Sequence, residues 1–364
     1  MVLIIIFNYF SLFFNIYSEY NNIEKYLIIC ESQKLVNKEK FKNNKNPKVS
    51  IISPVFNREK YIYRFLRSIQ FQKFKDIEII FIDDCSKDKS IKIIENYKKK
   101  DNRIILIKHK KNKGTFISRN VGILNSRGKY IMLPDPDDII SRNIIYICYN
   151  ILEIYNYEMI RFNLYYGNGK IFFYYIINGL ENGPIYQPEL STYLFYGRGT
   201  LLQIDFNVSN KFIKREAFIR ALNSLNKFYL NIYMTVYEDG LMNYILYRTV
   251  KSLYFIKKIG YYYLKRNHNI TRPKSNSHIF IIKFLFLYLN IIFKYSKNTK
   301  YEKDMANNFI FKKLRKKNFN KSKKNLKKDF YFYSKILNMC LNCQYINKKN
   351  KNILNNIKDI LYSN

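Results

Sequence analysis

The chain has 364 residues, with 64 Lys and Arg against 27 Asp and Glu for a formal charge of +37, and 48% apolar residues. That much apolar sequence predicts a sizeable core and excludes disorder as the default, and the scattered cysteines Cys30, Cys85, Cys148, Cys340 and Cys343 exclude a disulfide framework legible from spacing. The charge accompanies a composition rich in Lys, Asn, Ile, Tyr and Phe and free of Trp, the pattern of AT-biased coding, which weakens it as a signal for an anionic partner.

Residues 2–17 are apolar but broken by Asn8, Ser11 and Asn15, lack a basic flank, and are short for a membrane span. They read either as a signal anchor or signal peptide, or as a buried or interfacial helix. Residues 18–47 are polar, rich in Lys and Asn, and end at Pro47, which marks a linker into a folded unit starting at Lys48. From there short apolar runs at 49–53, 77–82, 104–107 and 130–133 alternate with helical patterns at 58–72, 90–100 and 115–126. This alternation predicts βαβ units and a mainly parallel sheet covered on both faces, a fold that places ligands at the carboxyl ends of its strands. Beyond 141 the pattern predicts helices over 142–155, 215–225 and 239–249, strands over 159–166 and 170–177, and a hairpin-like pair at 253–256 and 260–264. A second apolar run, 279–293, contains Lys283 and Asn290 and reads as a packed helix; the tail from 276 is rich in Lys and Asn and reads as helical.

Polar clusters follow three of the predicted strands: Pro54 to Asn57 after the first, Asp83 and Asp84 after the second, and Asp135 to Asp138 after the fourth. Closely spaced carboxylates at a rigid turn suit a hard divalent cation, which would neutralise a departing diphosphate. An Asp-Pro turn before Ile139 is equally good helix-cap chemistry, so the turn taken alone leaves both readings open. A carboxylate ending a strand, as Asp84 does, can accept hydrogen bonds from a base or ribose, and Ser86 and Asp88 also read as caps of the next helix. Glu238 and Asp239 precede an amphipathic helix, where they could supply a general base or simply stabilise the helix dipole. No glycine-rich phosphate loop precedes the acids, which argues against a dinucleotide or P-loop site.

The order and spacing of these clusters are more specific than any one of them. The segment KVSIISPVFNREKYIYRFLRSIQFQKFKDIEIIFIDDCSKDKS resembles the opening strand, Pro-x-Phe/Tyr-Asn turn and Asp-Asp strand end of the family 2 glycosyltransferases, which invert configuration on a GT-A fold. The segment GTFISRNVGILNSRGKYIMLPDPDD is similar to that family's Ala-Arg-Asn-x-Gly helix and Asp-x-Asp-Asp motif. The segments SNKFIKREAF, YEDGLMNYIL and GYYYLKRNHNIT resemble downstream parts of the same domain, so the likeness covers 48–272. Pro136 between the first two acids, and Thr115, Phe116 and Ile117 after Gly114, depart from the family's smaller residues.

The resemblance implies an α/β GT-A domain over 48–272, with a nucleotide-sugar half (48–140) and an acceptor half (141–272), followed by a helical extension over 273–364. It implies that Pro54, Phe56, Asn57, Glu59, Asp84, Arg119 and Asp135 bind the nucleotide sugar. Asp137 and the adjacent Asp138 would hold Mn or Mg, and Asp239 would be the catalytic base. The expected donor is a UDP-sugar; the acceptor would be a glycan, a lipid-linked molecule or a protein. An anionic membrane surface could engage the Lys-rich segments 38–48, 98–113 and 312–328, and no nucleic-acid partner is expected. The expected location is membrane-associated where residues 2–17 anchor the chain, and cytoplasmic otherwise. The alternatives are an inactive nucleotide-binding homologue or a basic binding protein.

Overall fold

A computed structural model describes residues 45–167, 172–175, 182–187, 190, 207–225, 230–235, 238–264, 348, 351–352 and 355. The apolar segment 2–17, the run 279–293, Cys30, Cys340, Cys343 and nearly all of the extension 273–364 lie outside them.

Strands β1 (Val49–Val55), β2 (Ile77–Asp83), β3 (Ile104–Lys108) and β4 (Tyr130–Met132) pair in parallel in the order β3-β2-β1-β4. Every residue of β1, β2 and β4 is buried, which explains why these strands read as continuous apolar runs rather than alternating ones. Helices α1 (Ile62–Gln70), α2 (Ser90–Lys98) and α4 (Ile144–Tyr155) pack Phe65, Ile69, Ile94, Ile145 and Leu152 onto one face, against Val49, Ile51, Ile79 and Phe81. Helix α3 (Thr115–Asn125) lies on the other face. A Cβ added to its Gly122 would sit 2.2 Å from Ile52 Cγ2 and 2.7 Å from Ile82 Cδ1, so the glycine is what lets the helix backbone approach the sheet.

The sheet continues through β9 (Lys211–Lys214), antiparallel to β4, then β6 (Met159–Gly167), β10 (Ser252–Leu264) and β5 (Ile139–Ile140). β7 (Phe172–Tyr175) pairs with β6, and β8 (Gly183–Tyr186) with β10. Helices α5 (Arg215–Asn223) and α6 (Glu238–Thr249) pack together and against α3.

The expected hairpin over 253–264 is instead one strand, β10, with register shifts around Ile259. Gly260 marks a close approach: a Cβ there would lie 2.4 Å from Phe162 Cδ2 and 2.5 Å from Ile144 Cγ1. A buried charge in β2, Glu78, is fully engaged. It accepts from Ser50 Oγ (2.6 Å), Arg127 N (2.6 Å) and Arg127 Nε (2.9 Å), so it fastens the approach to β4 onto β1. Among the described residues no helix is long and apolar enough to cross a membrane.

Gly122→Ala should lower the unfolding free energy by about 1–3 kcal/mol, because both neighbours are buried side chains of the sheet. Urea denaturation of the variant checks this, and a change under about 0.5 kcal/mol would show that α3 shifts freely.

Candidate active site

Because β2, β1 and β4 are adjacent and parallel, the three polar clusters leave the sheet at one edge, as a parallel sheet requires. Pro54 is buried in β1 opposite Ile82, and Phe56 just beyond it is 39% exposed. Asn57 turns the chain with a left-handed φ of 51°. Its Oδ1 accepts from Lys87 N (2.7 Å) while its N–H donates to Ser86 Oγ (3.1 Å). Glu59 Oε2 accepts from Lys89 N (2.8 Å), and Glu59 N donates to Asp88 Oδ2 (2.9 Å). These two residues therefore stitch the loop after β1 to the loop after β2.

Asp84 organises a third loop. Its Oδ1 accepts from Lys113 N (2.7 Å) and lies 3.1 Å from His109 Nδ1, and its Oδ2 accepts from Gly114 N (2.8 Å). Gly114 has a φ of +87°, and a Cβ there would lie 2.9 Å from the Met234 backbone, so glycine is required twice over. Tyr233, 46% exposed, is close enough that burial and then the Asp84 charge raise its hydroxyl pKa. His109 and Tyr233 were not singled out from sequence. His109 follows β3 at the ligand edge, and that position alone would have flagged it.

At the acidic turn Asp138 N donates to Asp135 O (3.2 Å), closing a turn with Pro136 at a position where no N–H is needed. The turn leads into strand β5, not into a helix, so the capping alternative fails. Asp138 is fully buried. Its Oδ2 accepts from Tyr261 Oη (2.8 Å) and its Oδ1 from Leu264 N (3.0 Å), while Tyr261 Oη accepts from Asp135 N (2.9 Å). Burial, and then the neighbouring Asp135 charge, push its carboxyl well above the usual range. Asp137 faces Arg58, with Nε 2.9 Å from Oδ2. The carboxylate oxygens of Asp135, Asp137 and Asp138 lie within 4.8 Å of one another, a hard-oxygen donor set that fits Mg or Mn.

Arg119 joins this turn to the start of α6. It is 1% exposed; its Nη2 donates to Asp135 Oδ1 (2.7 Å), its Nη1 donates to Asp239 Oδ1 and lies 3.5 Å from Glu238 Oε1. The Asp239 side chain remains 27% exposed. Burial raises its carboxyl to about 6, with Arg119 opposing the rise and Asp135 adding to it. Burial and the Asp239 charge also raise Glu238. Behind them Lys211, fully buried, donates from Nζ to Asn207 O and Asn210 Oδ1 and approaches the Tyr247 ring of α6; no motif in the sequence marks it.

Residues 50–222 match the profile of glycosyl transferase family 2. The chain is 42% identical over 97 residues to an uncharacterized glycosyltransferase of Haemophilus influenzae, covering 27% of this chain and 39% of that protein. It is 26% identical over 235 residues to the glycosyltransferase GlyG of Streptococcus pneumoniae, covering 62% and 73%. The chain thus spans well under half of the first relative and about three quarters of the second. The structure of S. aureus TarS in complex with UDP-GlcNAc superposes with a TM-score of 0.59 at 18% identity, covering 86% of this chain and 88% of that one, a likeness of fold. Residues 50–222 thus carry the match to glycosyltransferase family 2, and the sheet with its flanking helices is the GT-A fold.

Arg119→Met would leave Asp135, Glu238 and Asp239 without their shared cation and should cost about 3–5 kcal/mol of stability at neutral pH. Chemical denaturation reads this directly. An unchanged midpoint would mean that the guanidinium does not hold the two segments together.

Proposed function

We propose that this chain transfers a sugar from a nucleoside-diphosphate donor, a UDP-sugar, to an acceptor hydroxyl with inversion at the anomeric carbon. The observation that supports the reading is the Arg119 bridge, which holds Asp135 of the acidic turn and Asp239 at the start of α6 on one buried guanidinium. The donor half of the domain (48–140) supplies Pro54 and Phe56 as pocket walls and Asp84 toward the base, with Asn57 and Glu59 shaping the loops around it. Asp135 takes the ribose, and Asp137 offers the metal-binding oxygen. Asp138, already held by Tyr261 and Leu264, fixes the turn and stands next to that ligand. A divalent cation bound there would take up the charge that builds on the departing diphosphate.

Asp239 removes the proton of an acceptor hydroxyl presented by the second half (141–272). That oxygen bonds to the anomeric carbon from the face opposite the diphosphate, whose C–O bond breaks with the electron pair leaving on phosphate oxygen. One proton-handling carboxylate suffices, unlike glycoside hydrolysis with its two. The TarS complex with UDP-GlcNAc supports a UDP-sugar as donor, and the acceptor would be a glycan, a lipid-linked molecule or a protein. Exposed lysines of the 98–113 segment, among them Lys98, Lys100, Lys110 and Lys111, give the donor half a basic surface that an anionic membrane could engage.

Asp239→Asn should lower kcat by about 10²–10⁴ while changing the Kd for UDP less than about threefold. Parallel turnover and calorimetric titration check the pair, and equal loss of both would remove Asp239 from the base role. Because a protonated carboxyl cannot accept a proton, kcat/KM should rise with pH up to about 6 and level off above it. A profile flat from pH 5 to 7 would contradict that assignment.

A further inference from the structure

Arg58 occupies a junction between the nucleotide pocket and the acidic turn. Its N–H donates to Ser90 Oγ (2.7 Å), and its Nη1 donates to the carbonyls of Phe56 (3.0 Å) and Asn57 (3.2 Å), so the residue is seated on the pocket loop. Its Nε then reaches across to Asp137 Oδ2 at 2.9 Å, where the Arg58 side chain is 25% exposed and that of Asp137 only 5%. Arg64 Nη2 independently holds the Asp137 carbonyl (2.7 Å), so the turn has an anchor that does not depend on Arg58. Thus one of the three carboxylates that could hold a cation lies under a partly exposed guanidinium, and that guanidinium stands between the two parts of the site that a nucleoside diphosphate would span.

We propose that Arg58 is a donor-phosphate residue held in reserve, covering Asp137 until a divalent cation takes that carboxylate and then turning to the diphosphate oxygens of the donor. The inference rests on the donor-site reading above. Two positive groups compete for one carboxylate oxygen, so the guanidinium weakens cation binding when no nucleotide is present. The planar fork of Arg matches phosphate oxygens, and it gains that partner only once it has released Asp137. Cation and nucleotide are therefore linked through one side chain, and each strengthens the other. Nothing new forms or breaks covalently; the guanidinium exchanges one anionic partner for another.

The test is calorimetric titration of the full chain with Mn²⁺ alone, and with UDP in the presence of Mn²⁺, for the wild type, Arg58→Gln and Arg58→Lys. Removing the competitor should make Arg58→Gln bind Mn²⁺ alone roughly 5–10-fold more tightly, while UDP with Mn²⁺ binds about tenfold more weakly. Arg58→Lys, which keeps the charge but not the fork, should leave Mn²⁺ binding near the wild-type value and still weaken UDP several-fold. Tighter Mn²⁺ binding is the diagnostic, since a residue that only supports the fold would not improve a site when removed. Unchanged or weaker Mn²⁺ binding by a folded Arg58→Gln overturns the proposal; should that variant fail to fold, wild-type UDP affinity in Arg58→Lys overturns it. A wild type that binds no UDP with Mn²⁺ instead sinks the donor-site reading beneath it.

Discussion

A single buried guanidinium holds this site together. Arg119 sits on α3, Asp135 follows β4 and Asp239 opens α6, so the bridge joins three segments that are distant in sequence. An arginine with almost no exposure is costly unless its charge is met, and carboxylates crowded together are costly unless they have a cation between them. Each makes the other tolerable. The consequence for chemistry is placement: the proposed base and the acidic turn cannot drift apart without leaving an uncompensated charge in the interior.

The same constraint extends outward. Asp138 is buried with both oxygens engaged by Tyr261 and Leu264 of β10, so a strand more than 120 residues further along the chain determines how the turn after β4 is set. Asp84 spends its two oxygens on the backbone of the loop before α3, the helix that carries Arg119. Gly122 lets that helix lie close on β1 and β2. Asp84 and Asp138 thus act first as organisers of backbone, whereas the side chains of Asp135 and Asp239 on the Arg119 bridge stay 28% and 27% exposed.

Much of this was readable from sequence because the first half is built from local signals. Continuous apolar runs separated by amphipathic stretches point to a parallel sheet, and parallel pairing brings the ends of β1, β2 and β4 to one edge whatever the side-chain details. Pro136 departs from the family's smaller residues, yet the turn bonds through Asp138 N and Asp135 O and asks nothing of the intervening N–H. What stayed hidden is non-local. Tyr261 reads as one aromatic among many, yet its hydroxyl links Asp135 to Asp138; Lys211 reads as one lysine among many, yet it is buried behind α6. The hairpin expected between 256 and 260 is one continuous strand: Lys257 and Lys258 are exposed within it, and register shifts around Ile259 take the place of a turn.

The family match lies in residues 50–222 and the fold in the sheet that runs on to Leu264, whereas turnover depends on whether the Arg119 bridge holds a working base beside a working donor site. The most direct measurement is release of nucleoside diphosphate from a panel of UDP-, GDP- and dTDP-sugars, run with Mn²⁺ and again with excess chelator. Metal-dependent release from a UDP-sugar, lost on chelation, is the predicted result. Tight nucleotide binding with no release from any donor would contradict the account and leave a nucleotide-binding protein in place of an enzyme.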